Sequence, residues 1–541
     1  MEEPIFDNSH ATKNFTMKYN VLLLLAFWAS TTLQAQSPGV ADSSFAVNGV
    51  YLADLSGWES ISSAVVQADG KIVVAGYTQT DGQSKFLVAR LLPDGSPDPA
   101  FGTGGLATAQ GSGWINQATA VAIQPDGKIV VGGFTDPDDD FNVDFALLRF
   151  TAQGQPDNSF SQDGIATLDI TASDIVRSIT LLPDGKILAA GSVQIAGTDL
   201  DFVVARFLAD GALDPGFGSN NGYAITSFGG KGDVPHSMLV QADGKIILVG
   251  VTNKASGNAD VAMARYTPNG IPDSGFGFNG KVTSSFSSYV DAGLKAILQP
   301  DDKILVSGYS DNAFKNSEFA LFRYTPDGTV DPSFGSNGIV RSKIGSIYSA
   351  AEALMVRPDG KIVAAGCAET ATGINLAIKQ FKPNGSLDQD FGTNGLISSP
   401  ISNVPSSVAD VLFLADGRML AAGSCYNPTA GNTDILLLRY LSDLYVGVIE
   451  TPQSVLAPWI YPNPVSDARV TLKYELPTDA EVVFELLSSN GTKISTLQQG
   501  KRTTGEQTEE LPLPGDLPNG YYLLNIGTNR GNTVVRILLA R

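Results

Sequence analysis

One turn, repeated at a near-constant interval, constrains this chain more than any other feature. Asp69-Gly70-Lys71 lies between the apolar runs Ala64-Val65-Val66 and Ile72-Val73-Val74. It returns as Asp126-Gly127-Lys128, Asp184-Gly185-Lys186, Asp243-Gly244-Lys245, Asp301-Asp302-Lys303, Asp359-Gly360-Lys361 and Asp416-Gly417-Arg418. The steps are 57, 58, 59, 58, 58 and 57 residues, and a Gly follows five residues after each basic residue, from Gly76 to Gly423. Asp-Gly between apolar runs signals a β-hairpin, with a two-residue type I′ turn as the expected geometry. Seven hairpins at a fixed period specify a repeat architecture.

Within the first repeat, Ser63–Gln67 and Lys71–Tyr77 read as strands paired across the turn. A polar loop (Thr78–Ser84) leads to a third strand, Phe86–Leu92. After Pro93-Asp94-Gly95, Gly105–Ala109 makes a fourth. Four antiparallel strands in just under 60 residues is the size of a propeller blade. The third strand carries a recurring Arg (Arg90, Arg149, Arg206, Arg265, Arg323, Arg439), with Gln380 breaking the series. The connection after it recurs as Asp98/Phe101, Asp157/Phe160, Asp214/Phe217, Asp273/Phe276, Asp331/Phe334 and Asp388/Phe391. A repeated Arg and Asp could line a binding ring. An intra-blade ion pair with a Phe plugged between blades is the reading taken, because every blade needs packing while a site needs only a few residues.

The seventh copy stops after its third strand, Asp434–Leu441. The missing connection stands ahead of the first repeat, where Asp42 to Gly49 has the spacing of Asp98 to Gly105. The fold expected is therefore all-β: a seven-bladed β-propeller over residues 36–443, closed by the N-terminal strand so that no sheet edge is exposed. The pattern Pro-Asp-Gly-Lys-Ile-Val…Gly…Asp-Phe…Arg…Asp-Gly…Asp-Pro-x-Phe-Gly resembles the delta-60 repeat of secreted bacterial proteins over residues 42–443. The resemblance implies a propeller and carries over no catalytic residue.

Residues 444–458 depart from the period and read as a linker. Residues 459–541 hold short strands, among them Val470–Glu475, Ala480–Ser488, Lys493–Leu497, Gly520–Ile526 and Thr533–Leu539, as expected of a small C-terminal β-sandwich. Tyr461-Pro462-Asn463-Pro464, Gly520-Tyr521-Tyr522 and the last apolar strand resemble the type A sorting domain of the type IX secretion system, with Arg541 where Lys is commoner. The resemblance implies handling by the type IX machinery, removal of the domain at the outer membrane, and release of the cargo or its attachment to surface lipopolysaccharide. An ordinary accessory sandwich is the alternative.

At the other end, Lys18, the apolar run Val21–Ala29 and Leu33-Gln34-Ala35 have the pattern of a secretory signal, with Met17 as the better start and a mature chain from near Gln36. No other apolar run approaches the roughly 20 residues of a membrane-spanning helix. The net charge is −20, and losing three acidic and two basic residues with segment 1–35 leaves −19. Such a balance argues against nucleic acid as a partner, since phosphate recognition needs clustered Lys and Arg. Cys367 and Cys425 are the two cysteines, read as small buried thiols rather than a bridge.

Chemistry is sparse. Outside the N-terminal segment His236 is the sole histidine, placed on a loop, so His-based triads and metal sites are excluded. No cofactor is expected. Alternating carboxylates at Asp136, Asp138, Asp139, Asp140 and Asp144 could take Ca²⁺ through oxygen, but they lack the Gly and Glu of an EF-hand loop and read as a solvated acidic loop. Trp58, Trp114, Tyr289 and Tyr348 precede their hairpin Asp by 11 or 12 residues, on the side of the disc whose loops differ between repeats. Exposed aromatics beside carboxylates suit sugar rings, and the same rings wedged between blades would serve packing equally. With His236, they are the ligand-binding candidates. The function expected is a non-catalytic, exported module binding a glycan or a protein. The alternative is a polysaccharide hydrolase or lyase using Asp/Glu pairs on the variable face.

Overall fold

A computed structural model describes residues 39–137, 142–195, 199–314, 316–345, 347–370, 373–398, 405–442, 459–461, 465, 469–476, 478–488, 493–518, 520–528 and 531–539. The expected signal segment, the linker, Asp138–Asp140 and Pro462–Pro464 lie outside the described residues.

Seven antiparallel four-stranded sheets follow the seven repeats. The first strand of each is Trp58–Val66, Asn116–Ile123, Asp174–Leu181, Asp233–Val240, Asp291–Leu298, Ser349–Val356 and Ser406–Phe413. Each of these strands neighbours the next, and Ser406–Phe413 neighbours Trp58–Val66, so together they form a closed inner ring. Both faces of a sheet are covered by its neighbours, and the second and third strands therefore read as unbroken apolar runs. In the first sheet Val73 and Ala75 pack with Ile129 and Val131 of the second, while Ile72 and Val74 pack with Leu420 and Leu437 of the seventh.

The seventh sheet is completed from the other end of the chain. Val50–Ala53 pairs with Asn432–Tyr440, with Val50 opposite Leu438. The closing strand expected from the repeat count is present.

The hairpins depart from the type I′ expectation. Gly70 alone of its pair has positive φ (81°), Gly70 N–H donates to the Gln67 carbonyl at 2.9 Å, and Gln67 N–H donates to the Lys71 carbonyl at 2.8 Å. That is a type I turn followed by one left-handed residue. Asp69 supplies the turn's side-chain acceptor, taking Lys71 N–H at 3.2 Å. In the fifth repeat the left-handed position falls to Asp302, at φ 60°. The polar loop Thr78–Ser84 is also mostly strand: Ile72–Thr80 and Gln83–Leu91 pair up to Thr80 opposite Gln83.

The Gly that follows each hairpin has a steric cause. Every inner strand carries a β-bulge, as between Ile61 and Ser63 or Val176 and Ser178, and Gly76 and Gly191 face the bulges in their sheets. A Cβ on Gly76 would lie 1.7 Å from the Ser60 carbonyl oxygen, and one on Gly191 1.8 Å from that of Ile175. The same collision recurs at Gly133, Gly250, Gly308, Gly366 and Gly423. The repeated Gly and the bulge are one device.

The repeated Arg, Asp and Phe form a framework between blades. Arg149 Nε donates to Asp157 at 2.7 Å, its Nη1 donates to the Ala209 carbonyl of the next blade at 2.7 Å, and its guanidinium lies 4.7 Å from the Phe160 ring centre. Lys128 of the hairpin reaches the same Asp157 at 3.0 Å. The set repeats from Arg90 to Arg323. In the sixth blade the residues trade places. Gln380 donates to Asp388 at 2.8 Å, and Arg357, standing where the first, second, fourth and fifth repeats have Gln, donates to Gln380 at 2.7 Å.

Residues 459–539 build two sheets, one of three strands and one of four. Val470, Leu472, Tyr474 and Leu476 alternate inward and meet Val482, Phe484, Leu486, Leu524 and Ile526. Tyr461 ends the strand Trp459–Tyr461, and Gly520-Tyr521 opens Gly520–Thr528, which pairs with Gly531–Leu539. The strand Gly505–Pro512 has no counterpart in the sequence reading; its alternation Glu509/Leu511 against Glu506/Glu510 is too polar to signal itself.

Candidate functional site

The inner strands enter from the variable loops and leave through the Asp-Gly hairpins, so position along them measures depth in the disc. Ten residues before each hairpin Asp stands a buried polar residue: Glu59, Asn116, Asp174, Asp233, Asp291, Ser349 and Ser406. These tie down the loops between blades. Asp174 accepts Ile170 N–H at 2.6 Å and Thr171 N–H at 3.2 Å, and Asp291 accepts Phe286 and Ser287 N–H at 2.7 Å each. Burial raises Asp174 to about 6 in spite of these donors, with the nearby Asp169 charge adding to the rise.

Seven residues before the hairpin Asp, at the bulge, the blades differ in chemistry: Ser62, Thr119, Arg177, His236, Leu294, Glu352 and Ala409. All seven are half-buried. His236 is therefore on an inner strand and not on a loop, a placement hidden by the polar flank Asp233…Ser237. Burial drives its imidazole down to about 3, with the adjacent Arg177 charge adding to the shift, so it is neutral at physiological pH. Burial lowers Arg177 as well. On the sixth blade burial raises Glu352, whose carboxylate is 3.6 Å from the Cys367 thiol. Burial and that carboxylate push the thiol up to about 12. Both cysteines are free and buried.

One residue deeper, Lys295 of the fifth blade reaches Asp410 of the seventh at 3.4 Å, and Asp410 also accepts Ala64 N–H of the first at 3.2 Å. This cross-blade pair links the fifth blade to the seventh one residue nearer the hairpins than the bulge residues, and we call the part of the ring between it and the variable loops the cup.

The aromatic candidates divide by register. Trp58 and Tyr348 stand 11 residues before their hairpins, Trp114 and Tyr289 stand 12, so the two tryptophans are not at matching positions as equal spacing would require. Trp58 (48% exposed) and Trp114 (54%) are on the surface. Tyr289 is half-buried, its carbonyl accepting Ala259 N–H at 3.4 Å. Tyr348 is half-buried too, its ring 6.2 Å from that of Tyr309, and burial raises its hydroxyl, with Cys367 and Glu352 contributing.

For a cation, Asp144 is grouped with Asp169 and Asp174 rather than with Asp136, and Asp54, Glu59 and Asp434 form the equivalent group at the seam between the seventh and first blades. In each trio the donor oxygens lie within 4.8 Å of one another, a spacing that suits one oxygen-seeking ion. Asp136 is buried elsewhere, its N–H donating to the Ile115 carbonyl at 3.0 Å.

The sequence reading missed Arg177, Glu352 and Lys295. The signal was available: at the bulge the inner strands change charge from blade to blade, with Arg177, His236 and Glu352 seven residues before the hairpin Asp and Lys295 and Asp410 six before it.

Comparison with known proteins bears on the scaffold and the tail. The family model described as a domain of unknown function (DUF5122) beta-propeller matches seven segments: 67–101, 124–160, 182–217, 241–276, 299–334, 357–391 and 414–444. The model of a secretion system C-terminal sorting domain matches 459–540. No curated protein matches the chain. Among solved structures, polysaccharide lyase Uly1 is similar at 12% identity and a TM-score of 0.39, over 70% of this chain and 89% of that one. The Pyrococcus horikoshii acylaminoacyl peptidase is similar at 11% and 0.36, over 77% and 57%. Sqt1 from Chaetomium thermophilum is similar at 12% and 0.34, over 71% and 86%. Likenesses of this strength speak to neither ligand nor reaction. Among the described residues no helix is long and apolar enough to cross a membrane.

Proposed function

We propose that this chain, which carries seven DUF5122 β-propeller repeats and a type IX sorting domain, works outside the cell as a non-catalytic module that binds a glycan or a protein in its central cup. The sorting domain directs it to secretion or the cell surface. The binding reading rests on one observation. Along the inner ring the blades differ in charge at the bulge, with Arg177, His236 and Glu352 seven residues before the hairpin Asp and Lys295 and Asp410 six before it, while the framework Arg, Asp and Phe recur from blade to blade. Structural repetition explains sameness and leaves the difference to a ligand.

Binding is supported over hydrolysis by the state of the cup's acids. Asp410 is engaged by Lys295, and Glu352 lies against the Cys367 thiol, so neither is half of a free carboxylate pair. Exposed Trp58 and Trp114 near the rim favour a sugar over a protein surface. A glycan array run with the exported protein, together with a hydrolysis screen of the same polysaccharides, tests the reading. Retention without cleavage is expected; chain shortening or new unsaturated ends would establish an enzyme instead.

A further inference from the structure

The seven bulge residues are not evenly distributed in charge. Arg177 of the third blade and His236 of the fourth stand at the same register position on adjacent inner strands. Among the described residues no carboxylate lies within ion-pair distance of Arg177, and its Nε is buried without a hydrogen-bond partner. This is unlike every framework arginine from Arg90 to Arg439, each of which has an acid at 2.7–2.9 Å. The cup's acids are committed elsewhere, Asp410 to Lys295 and Glu352 to the Cys367 side of the ring.

A half-buried guanidinium whose buried Nε has no acceptor within the protein carries a cost, which is offset by an anion that supplies one. Its planar fork matches a carboxylate in two parallel hydrogen bonds. Neutral His236 adds an N–H donor without a second charge. The whole chain carries a formal charge of −20, so a single arginine on the inner ring confers selectivity for an anion rather than general attraction. Thr119 of the preceding blade helps fix the wall, its hydroxyl bonded to the Val176 carbonyl at 2.7 Å beside Arg177.

We propose that Arg177 and His236 form an acidic-sugar subsite of the cup, in which Arg177 takes the carboxylate of a uronic acid residue and His236 donates to the same group. This rests on the reading of the cup as a glycan site and narrows the glycan to an acidic one.

The test uses the exported full protein, its Arg177→Gln and His236→Gln variants, and Arg177→Lys, which keeps charge but loses the fork. Probes are polygalacturonate, its carboxyl-reduced form and a sulfated neutral glucan, with melting temperatures to confirm folding. Expected are binding of polygalacturonate, at least tenfold weaker binding of the reduced polymer, and at least tenfold loss in Arg177→Gln, with smaller losses in His236→Gln and Arg177→Lys. Equal binding of native and reduced polymers, or full affinity in Arg177→Gln, overturns the subsite and leaves the glycan reading standing. Arg177-dependent binding of the sulfated polymer alone overturns the carboxylate assignment. Failure of wild type to bind any of these or any arrayed glycan overturns both readings. If Arg177→Gln does not fold, the native-versus-reduced comparison and His236→Gln decide.

Discussion

Arg439 donates from Nε to Asp42 at 2.7 Å across 397 residues of chain, and its Nη1 reaches the Pro93 carbonyl of the first blade. Its guanidinium also lies 4.5 Å from the Phe45 ring centre. This one residue joins the last blade to the N-terminal segment and to the first blade. It makes the contacts that Arg90 makes with Asp98, Phe101 and Ala152 inside the array.

Closure therefore hangs on Asp42, which also accepts from Arg418 at 2.9 Å. Asp42→Ala leaves two arginines without their shared acid and is expected to cost roughly 3 kcal/mol in chemical unfolding. Deleting residues 36–56 exposes the edge of Asn432–Tyr440 and should give aggregates or failure to fold. A truncated monomer with an unchanged melting temperature would refute the closed ring.

The bulge glycines should tolerate nothing larger. Gly191→Ala puts a methyl 1.8 Å from the Ile175 oxygen and should cost roughly 3 kcal/mol or more, because the opposing atom is backbone. Gly257→Ala, with φ 84° and open space around it, should cost only about 1 kcal/mol. Equal losses in denaturant melts would contradict the steric account.

Acid should act through two opposed carboxylates. For Asp331, burial acts to raise the carboxyl, but the Ser333 hydroxyl and amide and the Arg323 charge outweigh it and hold the group at about 2. Its contribution is present above the unfolded value of about 4 and is lost as pH falls toward 2. Asp174 is raised to about 6, so its contribution is present below about 4 and is lost as pH rises through 6. Asp174→Asn, which keeps an acceptor for the Ile170 and Thr171 amides, should flatten the stability–pH curve between 4 and 6. Asp331→Asn should flatten it between 2 and 4.

The exposed tryptophans should behave as ligand contacts. Trp58→Ala with Trp114→Ala is expected to weaken glycan binding roughly tenfold or more while leaving the melting temperature nearly unchanged. A loss of several kcal/mol in stability would make those rings packing elements.

Export predicts a mature N-terminus near Gln36 and loss of the segment 459–541 from material outside the cell. Mass spectrometry finding that segment on most surface protein would favour an accessory sandwich.

The fold was legible because each repeat writes its hairpin, its Arg and its Asp–x–x–Phe at fixed spacing, and because the piece missing after Leu441 stands at Asp42–Gly49. Turn geometry was less so: Asp-Gly serves two turn types, and only the φ of Asp69, which a type I′ turn needs positive and which is not positive here, separates them. The Gly five residues after each hairpin was visible in the sequence, but its cause, a bulge on the opposite strand, is a tertiary fact. The site was read from its exposed rim, from Trp58 and Trp114, because aromatics announce themselves. Arg177 does not, since it is the one Arg at its register position, whereas the framework arginines recur on the third strand from Arg90 to Arg439. Tyr348 lies against Tyr309 rather than free at the rim, a contact between neighbouring blades that spacing alone does not reveal.

Hydrogen exchange on the exported protein, with and without the polysaccharide it retains best, tests the central claim most directly. Slowed exchange concentrated in the inner strands Asp174–Leu181, Asp233–Val240 and Ser349–Val356 and in the loops around Trp58 and Trp114 is the predicted result. Protection confined to the Asp-Gly hairpins on the opposite face, or to residues 459–539, would contradict it.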